Sequence, residues 1–190
     1  TRFHPVAVAD APSENVVNEI TSDAFGRVYL QTPHRFLQWT AGAGPAPIAG
    51  WPEARYPRLF RLSDDDFLLV TEQAVHLLRA TPEGWNTLRA PLPLPFRLNR
   101  LPLAASSGNT LILSAFPEDG RTIYFSWQND PPYLARIAAT RGSQQAIAAM
   151  PDGTIYAGGP NGLSRISKEG IYTYAASDGL STSYVSALLV

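Results

Sequence analysis

The sequence predicts an all-β chain of about four repeats, each folding as four antiparallel strands. Three observations predict it: a constant offset between the two ends, four interior copies of one short segment, and the lack of a helical period sustained over three turns. Asp10, Ser13, Val17 and Ile20 match Asp178, Ser181, Val185 and Leu188, each pair 168 residues apart, which is four periods of 42. Self-similarity at such a period is the mark of a stacked repeat architecture, in which no single unit can bury its apolar face alone.

The interior copies share a turn, a strand and a small or polar stop. They are Gly26 to Thr32, Asp65 to Thr71, Asn109 to Ala115 and Gly153 to Gly159, with first residues 39, 44 and 44 apart. In three of them a large apolar residue (Phe36, Val75 or Leu163) opens another strand four residues after the stop. The third copy carries an insertion, Phe116 to Arg121, before Thr122-Ile123-Tyr124-Phe125.

The last period reads most clearly. Gln145 to Met150 is apolar enough for a buried strand, and Pro151-Asp152-Gly153 is a turn of the Asp-Gly kind. Thr154 to Ala157 is a second strand, and Gly158 to Gly162 is a loop. Leu163 to Ser167 and Ile171 to Tyr174 mix apolar and polar residues as half-exposed strands do, with Lys168-Glu169-Gly170 turning the chain between them. Four strands in about 42 residues is the unit of a β-propeller blade. The expected fold is therefore a β-propeller fragment spanning 1–190. Its blades lie near 16–42, 56–90, 97–138 and 144–176, with stray strands at 3–8 and 184–190. Ile20, Val28, Leu30, Leu59, Phe67, Leu69, Leu111, Leu113, Ile147 and Ile155 are expected to be buried between blades.

Composition excludes several functions. Lys+Arg is 15 and Asp+Glu is 16, a net charge of -1, so the chain lacks the basic excess of a nucleic-acid-binding surface. No apolar run approaches the roughly 18 residues of a membrane helix, so direct membrane insertion is not expected. Without Cys there is no thiol catalysis, disulfide or Cys-based zinc site. Every cation but Lys168 is Arg. The chain begins Thr1-Arg2-Phe3-His4, neither an initiator Met nor a signal peptide, and reads as a piece of something longer.

The repeat resembles the two-component regulator propeller repeat, whose usual form runs N-x-V-x-A-L-x-x-D-x-x-G-x-L-W-I-G-T-x-x-G-L-x-R and then D-G-L-S. Asn15 to Ile20, Asp23, Gly26 and Val28 to Thr32 fit that form, as do Ile155 to Gly158, Gly162 to Arg165 and Asp178 to Ser181. The hallmark Trp is Tyr at 29 and 156, Leu at 68 and Ile at 112. The resemblance implies the extracytoplasmic, periplasmic sensor part of a membrane-bound histidine kinase or diguanylate cyclase, with no catalysis of its own.

Little else in the sequence carries chemistry. His4, His34 and His76 are too far apart to pair on a metal, and neither a metal site nor a cofactor is expected. Asp64-Asp65-Asp66 occupies a blade turn and lacks the spaced oxygen ligands of a calcium loop. His76, between Val75 and Leu77, is expected to point outward. Trp51 lies in a long Pro/Gly-rich link, Ala41 to Pro57, where it can stack on a sugar or cap the sheet edge. No catalytic residue is assigned.

In propellers, the links entering each innermost strand and the loops between second and third strands share the face around the channel mouth. Asn15, Tyr56, Arg97, Gln145 and Tyr184 come from the first set, and His34, Gln73 and Asn161 from the second. These eight form the expected ligand site, suited to a small neutral or acidic saccharide or a peptide. The rival readings are a propeller lyase, for which only His34 can serve as base, and a purely structural scaffold. Four periods fall short of the roughly 290 residues of a seven-bladed ring at this period, so an open arc is expected. An open arc would pair its exposed edges, and a homodimer is expected through them.

Overall fold

A computed structural model of the chain describes residues 16–189, apart from 53, 56, 99, 101, 108–109, 117–119 and 130–131. The chain divides into two compact units, one ending at Phe96 and one beginning at Arg97. Each holds two antiparallel sheets whose strands follow one another in sequence order.

In the first unit, sheet 1 comprises β1 (Glu19–Ser22), β2 (Val28–Gln31), β3 (Phe36–Thr40) and β4 (Gly44–Pro47). Sheet 2 comprises β5 (Arg58–Arg61), β6 (Asp66–Val70), β7 (Ala74–Thr81) and β8 (Gly84–Thr87), and a short β9 (Leu92–Pro93) also pairs with β7. In the second unit, sheet 3 comprises β10 (Leu103–Ser107), β11 (Thr110–Ala115), β12 (Arg121–Asn129) and β13 (Pro132–Arg141). Sheet 4 comprises β14 (Ala146–Ala149), β15 (Ile155–Gly159), β16 (Gly162–Ser167) and β17 (Gly170–Tyr174). Among the described residues the helical content is a single 3-10 turn, Ala176–Asp178. The chain is thus an all-β propeller fragment of four four-stranded blades.

Turn chemistry sets the hairpins. Gly26 (φ +77°) and Gly153 (φ +85°) hold the left-handed position of equivalent turns, which a side chain would strain. The Asp23 carboxylate accepts the backbone N–H groups of Phe25 and Arg27, both at 3.0 Å, and Asp152 accepts that of Thr154 at 2.8 Å. In both hairpins a short acid side chain stands in for a backbone partner. The Asp64–Asp66 run is also turn chemistry, since Arg61 pairs with Asp64 at 3.2 Å and Arg79 with Asp66 at 2.7 Å. β4 forms within the stretch expected to be a link. It is an edge strand, where Pro45 and Pro47 cost no ladder bond.

Burial between sheets holds each unit together. In the first, Phe36 of sheet 1 packs against Leu59, Phe67, Leu69, Leu78 and Ala80 of sheet 2. In the second, Ile112 and Tyr124 of sheet 3 meet Ala149, Ile155, Ala157 and Ile166 of sheet 4. Leu30, Leu59, Phe67, Leu69, Leu111, Leu113 and Ile155 are buried as expected. Three positions differ. Ile20 is 66% exposed, because nothing among the described residues covers its face of β1. Val28 and Ile147 are half-buried at the margins of their sheets. The stray strand expected at 3–8 lies outside the described residues. Residues 184–189 form no strand, and the segment is tied to sheet 4 by the Val185 N–H donating to the Gly159 carbonyl at 3.0 Å.

Candidate functional site

Of the eight expected ligand residues, Asn15 and Tyr56 lie outside the described residues. In the first unit, His34 and Gln73 are exposed in the turns that join the second and third strands of their sheets. Both turns are built by a threonine. The Thr32 hydroxyl donates to the Arg35 carbonyl at 3.1 Å, and the Thr71 hydroxyl to the Ala74 carbonyl at 3.0 Å. Arg97 is exposed where the second unit begins, and Tyr184 is 54% exposed.

The second unit does bring some of them together. The Gln145 N–H donates to the Gly158 carbonyl at 2.7 Å, and Val185, next to Tyr184, donates to Gly159. Asn161 turns the chain between β15 and β16, its side-chain nitrogen 2.8 Å from the place a Cβ on Gly142 would occupy. Asn161, Gln145 and Tyr184 therefore cluster at one end of sheet 4, around Gly158 and Gly159. Neither glycine tolerates a side chain. A Cβ on Gly158 would lie 2.5 Å from Val185 Cγ1, and one on Gly159 2.6 Å from the Ser143 carbonyl oxygen.

Beside this cluster a cleft of about 370 Å³ opens between sheets 3 and 4. Ligand sites run from about 300 to 1,000 Å³, so the cleft suits a small molecule. Register assigns its walls. Thr140 lies directly opposite Thr122 and two residues from Ala138, so it shares the face that Tyr124 turns toward sheet 4. From sheet 4, Ser164 and Thr173 are direct cross-strand partners, on the same face as buried Ile166. Gln144 comes from the link and Asn161 from the turn. Ala139 and Arg141 border the cleft but alternate with Thr140, so their Cβ atoms start on the opposite face of β13.

These side chains form a neutral hydrogen-bonded lining. Tyr124 is fully buried, and its phenol pairs with the Thr140 hydroxyl at 3.1 Å. Burial pushes the Tyr124 hydroxyl up to about 12, against the opposing pull of Thr140, so it stays neutral. Gln144 Nε2 also donates to Thr140, at 3.3 Å, while Gln144 Oε1 is buried without a hydrogen-bond partner. Ser164 and Thr173 share a bond of 3.1 Å, which leaves one of their two hydroxyl protons free. No carboxylate or His lines the cleft, and among the described residues no group of three His, Asp or Glu is placed to hold a metal.

The first unit shows why the cleft is open. There the inter-sheet space receives Trp51, with ring centroids 5.3 Å from Phe36 and 5.2 Å from Trp85, and Trp85 lies 5.2 Å from Tyr29. Trp51 is thus a half-buried plug and no exposed sugar platform. It arrives on a link of ten residues, 48–57, whereas 142–145 spans four and carries no aromatic residue. His76 also turns inward. It pairs with Leu69 and shares a face with Leu78 and Ala80, where burial lowers its pKa. Leu78 and Ala80, not Val75, set its direction.

Of the cleft side chains, sequence reasoning found Asn161 and missed Thr140, Gln144, Ser164 and Thr173. The signal lay in spacing: Leu163 and Ile166 are three apart and take opposite strand faces, and Ser164 shares the face of Ile166.

No protein-family model matches the chain, and no curated protein sequence does. Solved structures do match. One is of the extracellular domain of a B. thetaiotaomicron protein described as a hybrid two component system, at 16% identity and a TM-score of 0.62 over 88% of this chain and 22% of that one. A second structure of an extracellular domain from B. thetaiotaomicron, described as that of a one component system, gives 16% identity and a TM-score of 0.62 over 93% and 24%. The chain therefore spans about a quarter of the length of either. At this identity the likeness shows a shared fold, the one that the repeat resemblance implies.

Proposed function

We propose that the chain is a ligand-sensing segment of the extracytoplasmic, periplasmic part of a membrane-bound signalling protein. The parent would be of the two-component sensor kinase or diguanylate cyclase type. The cleft between sheets 3 and 4 is the observation that carries this reading. It is small and preformed, and its lining combines hydroxyl and amide groups with the apolar Ile171 and, at the margin, Arg141, the furniture of a binding site. The shared fold with an extracellular domain of a two component system supports the cellular setting. A binding role is preferred to a lyase because the cleft offers no side chain that titrates near neutrality to act as a base. The ligand is a small saccharide or peptide, with no cofactor. The proposal includes a homodimer through open sheet edges, supported by the edge strand β17, where Ile171, Tyr172 and Tyr174 are 46%, 49% and 39% exposed.

The test is reporter output of the full-length parent in cells given single glycans or peptides in turn. The parent is compared with a Thr140→Leu/Ser164→Leu double variant whose leucines fill the cleft. At least one compound should raise the output, and the double variant should lose that response. A parent that answers no compound, or a filled cleft that answers as the parent does, overturns the reading.

A further inference from the structure

The chain holds seven asparagines, and Asn161 is the one followed by a glycine. Pro160 and Asn161 are the turn between Gly159 and Gly162, which pair across the β15–β16 hairpin. Three features of this turn make the asparagine reactive. Asn161 is exposed, so water and hydroxide reach it. Its amide is unrestrained, since no hydrogen bond holds it among the described residues. A free side-chain amide can rotate toward its own backbone, and a tethered one cannot. The following N–H also carries no shielding side chain. Gly162 has to be glycine, because a Cβ there would collide with the Tyr174 carbonyl oxygen and its φ is +111°. The close approach of β17 therefore keeps an unhindered nucleophile next to the asparagine.

We propose that Asn161–Gly162 is a self-modifying site, where the chain converts asparagine into aspartate and isoaspartate. Hydroxide takes the Gly162 N–H proton, and the nitrogen attacks Asn161 Cγ. The N–Cγ bond forms, the Cγ–Nδ2 bond breaks, and the amide nitrogen leaves as ammonia. Water then opens the resulting five-membered imide. Breaking its N–Cγ bond gives aspartate. Breaking its bond to the Asn161 main-chain carbonyl carbon gives isoaspartate, whose backbone runs through Cγ. Neither step needs an oxidant or a reductant. Asn161 and Gly162 both line the cleft between sheets 3 and 4, so conversion alters it in two ways. A neutral amide becomes a carboxylate, ionised at neutral pH, in a lining that otherwise carries the charge of Arg141. Isoaspartate also adds a backbone carbon to a turn whose flanking glycines already press on Ser143 and Tyr174.

Incubating the folded chain at pH 6 and pH 9 tests this, with the urea-unfolded chain as the reference for intrinsic reactivity. Aliquots are mapped by peptide mass spectrometry and labelled with isoaspartyl methyltransferase. Aspartate and isoaspartate should accumulate at 161 in the folded chain, faster at pH 9 because the nucleophile is the deprotonated amide. The net charge should move from -1 to -2 on isoelectric focusing. Asn161→Asp should migrate with the converted form from the outset, and Asn161→Gln should gain no such form. Asn18 and Asn86, followed by Glu19 and Thr87, should stay intact over the same period. An Asn161 that persists in the folded chain while the unfolded chain converts overturns the proposal. So does conversion at Asn18 or Asn86 that keeps pace, or a rate equal at the two pH values.

Discussion

Replacing Tyr29 by Phe isolates a single hydrogen bond to a buried charge. Tyr29 is fully buried, and its hydroxyl donates to Asp23 Oδ2 at 2.8 Å. The Asp23 side chain is itself fully buried, and it also accepts from Arg27 Nε at 2.6 Å and from two backbone N–H groups. Phe keeps the ring and its contact with Trp85, so the loss is the bond alone. A hydrogen bond to a charged partner contributes about 1.5–3 kcal/mol, which sets the expected destabilisation at about 2 kcal/mol at pH 7. The effect should depend on pH. Burial pushes the Asp23 carboxyl up, but Tyr29 and Arg27 outweigh it and leave the pKa below the ordinary carboxylate value. A lowered folded pKa stabilises the fold above the unfolded value of about 3.9, and that contribution fades as pH falls through the folded value. Without the Tyr29 donor the folded value rises, so fading begins at a higher pH. Once Asp23 is protonated, the missing bond is a neutral one of about 0.5–1.5 kcal/mol, and the gap between variant and parent should narrow by about 1 kcal/mol. Urea unfolding at pH 7 and pH 2, followed by tryptophan fluorescence, measures both quantities. Tyr124→Phe is the control: its partner Thr140 is neutral, so its cost should be about 1 kcal/mol at either pH. A Tyr29→Phe cost below about 0.5 kcal/mol at pH 7, or one equal at both pH values, would refute the reasoning.

Three further outcomes are expected. Ile155→Ala, at a site 2% exposed, should cost about 2–5 kcal/mol in urea, whereas Ile20→Ser, at 66% exposure, should stay within about 0.5 kcal/mol. Gly158→Ala should displace Val185, cost about 1–3 kcal/mol and speed limited proteolysis beyond Leu180; unchanged cleavage would mean the terminal segment does not rest there. Because burial lowers the folded pKa of His76, the unfolded chain takes up the proton first, and stability should fall as pH drops through about 6.5. His76→Gln should flatten that slope between pH 7 and pH 5, and an unaltered slope would assign it to another group.

Period and turn residues made the sheets legible. The Asp-Gly turn at 152–153 and the glycine at 26 are local signals, and each sits where its hairpin turns. The site was less legible, because a cleft between sheets depends on which strand face each residue takes. Ser164 and Thr173 look like solvent-facing residues until the register pairs them on the face of Ile166. Gln144 and Gln145 are adjacent, and only the turn of the link decides which points into the cleft. Trp51 was ambiguous for the same reason. Its destination is set by partners far along the chain, such as Trp85. Ile20 was misjudged because an innermost strand is covered on both faces only where a neighbouring sheet lies against each.

The contrast in link length has an evolutionary reading. A ten-residue link delivers a tryptophan stopper to the inter-sheet gap of the first unit, and a four-residue link leaves that of the second unit unstoppered. A receptor pocket can therefore be opened or closed by a small insertion or deletion in a surface loop, with no change to any strand. Long insertions in such loops carry only a slow entropic penalty. A lineage built on this repeat can relocate its receptor from gap to gap by indels alone, and an engineer can do the same by transplanting the link 48–57.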